Sequence, residues 1–216
     1  MLKPHSKDSV KTKVYASAVF LEHDDLFNRG SSSAGLLNIY RSHTIPHFNF
    51  SYGVLGFAGR YKEQTDIPLQ FNHKSFNGFG FNGSTSYYTS TRKADWRLIG
   101  VDLVYTHESG NYLNYRRSIA GNVDVASSTQ AGMFSYGIFS EVLIRQTTNF
   151  NFGFKLFVNK MTGRLVEKDD IRNTYGTTSS GGTVLFGYKM FTGYISSAAS
   201  GDYSGGSVQV GLGYRF

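Results

Sequence analysis

Cysteine is absent from the 216 residues, so neither a disulfide nor a thiolate metal site is available. Proline is scarce, at 3 residues. Charged residues make up 17 %, against roughly 25 % in an average chain. No window approaches the roughly 18 apolar residues of a membrane-spanning helix, which excludes a helical membrane architecture. Runs of Ala, Leu, Glu and Lys that would build helices are nearly missing. The opening MLKPHSKDSV is polar and lacks the apolar core, about 7–15 residues long, of a secretory leader.

What fills the gap is 25 Gly, 18 Phe and 15 Tyr, with aromatics at 16 %. High Gly and aromatic content with low charge points to many short strands. The mean hydropathy of −0.28 is compatible with a wall in which only alternate residues face lipid. Net charge is +7 and the sequence pI about 9.5. The charges are dispersed, and the densest basic spots are the doublets Arg92–Lys93 and Arg116–Arg117. A doublet is a weak footprint for nucleic acid, so no nucleic-acid partner is expected. Attraction to anionic lipid head groups accounts for the balance at least as well.

The clearest pattern is the last one, SVQVGLGYRF. Val208, Val210, Leu212, Tyr214 and Phe216 share one parity; Ser207, Gln209, Gly211, Gly213 and Arg215 share the other. Successive strand side chains point to opposite faces, so this strand has one oily face and one small or polar face. The same grammar, less cleanly, runs through 95–107, 132–146, 150–159 and 183–194. Further strands are expected at 13–22, 36–42, 48–61, 76–92 and 112–125. In 48–61 the apolar parity slips from Val54 to Leu55, which predicts a β-bulge beside the glycines. Polar loops are expected at 23–35, 62–75 and 163–182, a tight turn at 107–111, and no helix beyond a turn or two. Whether Lys189–Thr192 hides a turn stays open.

These strands predict an all-β fold: an antiparallel up-and-down transmembrane β-barrel of eight to ten strands. Residues 1–10 form a polar N-terminal segment and 11–216 a single barrel domain. A soluble sandwich would carry Lys, Glu, Thr and Arg in quantity on its second face. Here that face holds mostly Gly, Ser, Asn and isolated charges, although Leu98, Val104, Phe139, Leu143, Phe157, Leu185 and Phe191 also fall on it. Small residues suit a narrow lumen. Asp102, Glu141, Arg145, Lys155, Lys189 and Arg215 are the candidate lumen charges, expected to pair because an unpaired buried charge is costly. For Arg215 the candidate partner is Glu22. Tyr61, Trp96, Tyr105, Tyr112, Tyr194, Tyr203 and Tyr214 are expected in interfacial aromatic belts.

In Phe216 with Tyr214, Leu212, Val210 and Val208 stepping back by two, the chain resembles small outer-membrane β-barrels of Gram-negative bacteria. The resemblance implies a non-enzymatic structural, surface-binding or narrow-pore protein, with periplasmic termini and extracellular loops. It implies outer-membrane lipid and lipopolysaccharide as surroundings, and the barrel-assembly machinery as a partner that reads the terminal stripe. Homo-oligomers are a further possibility it leaves open. Met1 is then read as starting a mature sequence whose leader has been removed. An alternative is a lipid A-modifying enzyme of that membrane, for which His107 and Ser109 are the weak catalytic candidates. Another is a soluble β-rich binding protein. No cofactor and no metal is expected; Asp169–Asp170 lacks the spaced acidic ligands of a calcium loop.

Overall fold

Alternating side chains need a wall with two different sides, and the chain builds one. A computed structural model describes residues 12–25, 30–63, 73–120, 127–147, 149–162, 165–166, 178–200 and 205–216. Its elements in chain order are β1 (Thr12–Asp25), β2 (Gly30–Ile45), β3 (Phe48–Glu63), β4 (His73–Ser90), β5 (Ala94–Ser109), α1 (Asn111–Ile119), β6 (Ser127–Ser128), β7 (Gly132–Arg145), β8 (Phe150–Thr162), β9 (Leu165–Val166), β10 (Thr178–Tyr188), β11 (Phe191–Ser200) and β12 (Gly206–Arg215). Ten of the strands form a closed antiparallel meander, while β6 and β9 pair separately. Closure joins β1 to β12, from Tyr15 opposite Arg215 to His23 opposite Ser207. The last residue takes part, its amide donating to the Val14 carbonyl at 3.0 Å. The barrel sheet therefore has no open edge, as lipid requires.

The outside is apolar over a continuous belt. Phe20, Leu37, Ile39, Val54, Phe81, Ile99, Ile138, Leu156, Phe186, Ile195, Val210 and Leu212 are all exposed on it. Monomeric soluble proteins do not carry an apolar surface that runs right round the molecule. A barrel in lipid requires one, and the protein is a membrane barrel. Arg41 is an exposed cation in this belt, on the same face of β2 as Ile39 and one same-face position nearer the β2–β3 turn. Toward the opposite end the outward residues become small or charged: Gly56, Ala58, Arg60 and Lys62 on β3. Strands β1–β5, β7 and β8, each of 13 or more residues, are longer than the roughly 9–11 residues a bilayer needs, so that end projects beyond the membrane.

The short turns and both ends of the barrel's strand series lie at one rim. His47 (φ 65°) and Lys189 (φ 53°) sit in two of those turns. The turn after Tyr188 settles the open question in the sequence: 183–194 is two strands. It also resets parity, so Phe191 is exposed rather than on the second face.

Several expectations are corrected. The β3 ladders run without a break against β2 and β4, so 48–61 has no bulge; Leu55 and Tyr61 turn inward and are buried. The irregularities lie instead at Tyr87/Tyr88 and between Arg97 and Gly100. The second leaves both Leu98 and Ile99 exposed. The loop expected at 23–35 is strand at 23–25 and 30–35, where small residues such as Ala34 line the barrel. The turn expected at 107–111 is strand through Ser109. Of the strand expected at 112–125, residues 112–119 are helix instead, and 121–125 lie outside the described residues. Gly110, at φ 119°, makes the corner into α1 in a conformation that L side chains rarely adopt. Residues 1–10, Asp169–Asp170 and Tyr203 lie outside the described residues.

Candidate functional site

Inward-facing residues fill the lumen unevenly. The half nearest the short turns is packed. Tyr15 and Tyr40 are opposed across β1–β2 and stack at 4.9 Å with rings 5° from parallel. Asn49 is almost fully buried; its Nδ2 donates to Thr44 Oγ1 at 2.8 Å and its Oδ1 accepts from the Ser42 hydroxyl at 3.4 Å. Arg97 and Glu141, directly opposed across β5–β7, form a buried ion pair. Next to them Arg145 pairs with Asp95. Phe139 lies over Gly100, where any β-carbon would collide with its ring. Leu143 and Leu185 complete the packing.

Above this plug, Lys155 reaches over the Phe139 ring, 4.1 Å from its centre, to bond Asp102 at 2.7 Å. The pair spans from β8 to β5 and marks the level at which the lumen opens. Beyond it lies a cavity of about 500 Å³. The β1–β5 side of this vestibule is largely apolar, with Val19, Leu36, Leu55, Phe57 and Val104. A second cavity of about 280 Å³ against β8 and β10–β12 has a more polar wall, including Thr183, Ser196 and Ser207; Asn159, Tyr194 and Gln209 border both.

Helix α1 sits at the rim of this vestibule. Three contacts tie it down: Arg116 to Glu108 at 2.9 Å, Tyr112 stacked on Tyr61 at 4.5 Å, and the Lys74 ammonium 3.7 Å from the Tyr115 ring centre. Leu113 is its buried apolar anchor.

The candidate charges separate by position. Asp102, Glu141, Arg145 and Lys155 face the lumen, each in an ion pair. Lys189 does not; it is exposed at a turn, its ammonium 5.4 Å from the Tyr188 ring centre. Arg215 stands opposite Tyr15, whereas Glu22 stands opposite Val208. Seven rungs, roughly 23 Å at 3.3 Å each, separate them, so Glu22 is not its partner. Val208, Val210, Leu212 and Phe216 are exposed to lipid, and Tyr214 packs edge-on between Phe191 and Phe216. Trp96 and Tyr105 are outward too, but Tyr61 and Tyr194 point inward and Tyr112 is on α1, so only part of the expected aromatic belt forms.

His107 and Ser109 share a face, yet the His107 ring packs near Phe79 and the Ser109 hydroxyl donates to Asn77 Oδ1 at 2.6 Å. Glu108 lies on the other face with Arg116. The reading of the sequence missed Arg97, Asp95 and Arg116. Parity ties Asp95 to Arg97, but the irregularity before Gly100 breaks the phase with Asp102.

No family model matches the chain, and no curated protein matches it. Solved structures of similar shape include an outer membrane channel from Pseudomonas putida F1, 11 % identical with full coverage of both chains and a TM-score of 0.49. Neisserial surface protein A is 15 % identical over 96 % of this chain and 98 % of its own, with a TM-score of 0.43. OprG from Pseudomonas aeruginosa is 8 % identical over 98 % of each, at 0.45. The likeness is one of architecture. The fold, a closed antiparallel barrel with a lipid-facing apolar belt, stands on its own closure and surface.

Proposed function

We propose that the chain is a non-enzymatic integral protein of the bacterial outer membrane. Its lumen is closed on the periplasmic side, and its vestibule and outer rim serve binding at the cell surface. One observation carries the reading. The inner half of the lumen is filled by the Arg97–Glu141 and Arg145–Asp95 pairs, the Tyr15–Tyr40 stack and the Asn49 cluster. A ten-stranded barrel has little interior to spare, and these side chains leave a floor rather than a channel.

The short turns then face the periplasm and α1 faces outward. The apolar belt fits envelope lipid, with lipopolysaccharide in the outer leaflet. The exposed stripe ending at Phe216 is offered to the assembly machinery before closure. Homo-oligomers would use this lipid face.

Planar-bilayer recording of the purified barrel tests the closed lumen. No steady conductance is expected from the wild type. The triple variant Arg97→Gly, Phe139→Gly, Glu141→Gly should conduct. Steady wild-type conductance would return the protein to the narrow-pore class.

A further inference from the structure

The vestibule has the wrong chemistry for a space that only holds water. We infer that it binds a small neutral apolar molecule bearing a hydrogen-bond donor, an alcohol or phenol; this rests on the closed-lumen reading, which makes the cavity a dead end.

Three features of the cavity lead to this ligand. Its volume of about 500 Å³ lies within the roughly 300–1,000 Å³ typical of small-molecule sites. Its β1–β5 wall carries Val19, Leu36, Leu55, Phe57 and Val104 turned toward the lumen, although the lipid-facing side of the same strands already supplies an apolar face. Inner-half residues of these strands at the same inward parity are the polar Ser42, Thr44, Asn49, Ser51, Ser84 and Ser86 with the hydroxyl-bearing Tyr15, Tyr40 and Tyr88, so the aliphatic wall is local to the cavity.

Among the polar atoms along that wall, two are buried acceptors without a hydrogen bond. Asn82 is 8 % exposed and its Nδ2 donates to Asn38 Oδ1 at 2.8 Å, which leaves its own Oδ1 without a hydrogen bond. Glu108 is 6 % exposed; its Oε2 takes the Arg116 bond and its Oε1 has none. A buried acceptor left unmade is unfavourable, and a donor from a ligand would satisfy it. The ionised groups come in opposite-sign pairs, Asp102 with Lys155 and Glu108 with Arg116, so no net charge calls for an ion.

The test uses the full barrel in nanodiscs with naphthalene, 2-naphthol and 2-naphthoate. Each is titrated by displacement of the fluorescent probe N-phenyl-1-naphthylamine. 2-Naphthol should bind about tenfold more tightly than naphthalene, the worth of one or two hydrogen bonds. 2-Naphthoate should bind weakest. Leu55→Arg, which fills the apolar wall, should abolish saturable displacement. Asn82→Leu should keep naphthalene binding and shrink the naphthol preference. Heat-modifiable migration on gels verifies that each variant is folded.

Displacement that survives Leu55→Arg would place the probe in lipid and overturn the site. Equal affinities for naphthol and naphthalene would overturn the donor requirement, and tighter naphthoate binding would overturn the neutral class. A conducting wild type that still shows this binding pattern would sink the closed lumen while sparing the site.

Discussion

Arg97 on β5 and Glu141 on β7 face each other directly across the ladder, both side chains buried in the lumen. Truncating one partner strands the other. Arg97→Ala is expected to destabilise the barrel by about 3–5 kcal/mol, whereas Arg97→Met with Glu141→Leu should cost far less. Equilibrium unfolding in urea from lipid vesicles, read by Trp96 fluorescence, measures both. Equal losses would mean that the charges themselves, rather than their pairing, hold the plug.

Gly100 and Phe139 form a size-matched pair. Gly100→Val should destabilise by about 1–3 kcal/mol, because a β-carbon there meets the ring. Adding Phe139→Ala should recover part of that loss. A double-mutant cycle on the folded fraction gives the coupling.

Position along the membrane normal should decide the effect of a lipid-face charge. Ile39 is in the middle of the belt and Phe216 is at its edge. Ile39→Arg should cost about 2–4 kcal/mol and Phe216→Arg about 0–1 kcal/mol in vesicle unfolding. Equal penalties would show that the belt is not centred on the bilayer.

If the terminal stripe is read during assembly, Phe216→Asp should lower the amount of folded barrel in cells several-fold. Refolding of the same variant into detergent should be nearly unchanged. A parallel loss in detergent would make Phe216 a matter of barrel closure alone.

Helix α1 should loosen when its ion pair is removed. Arg116→Ala leaves Glu108 facing the vestibule alone. Faster cleavage at Arg117 by trypsin added outside intact vesicles is the expected result. Unchanged cleavage would assign the anchoring to Tyr112 and Leu113.

The sequence by itself determined the class of this protein. Val208 to Phe216, and the matching stripes in β5, β7, β8 and β10, prescribe a two-faced wall because side-chain direction in a strand has period two. Apolar against small or polar faces, with few charges, already separates a lipid-facing barrel from a soluble sandwich. Local parity cannot carry phase across an irregularity or a turn. The break between Arg97 and Gly100 and the turn after Tyr188 therefore hid where Leu98 and Phe191 point. Residues 112–125 lacked a clean period of either kind, and packing of Tyr112 and Leu113 against the rim made 111–119 helical. Pairing of charges was foreseeable in kind but not in partner. Arg215 and Glu22 lie on strands that do pair, and only the register shows them about seven rungs apart. The plug and the vestibule belong to the tertiary structure alone, since both arise from residues on strands distant in sequence meeting inside a closed wall.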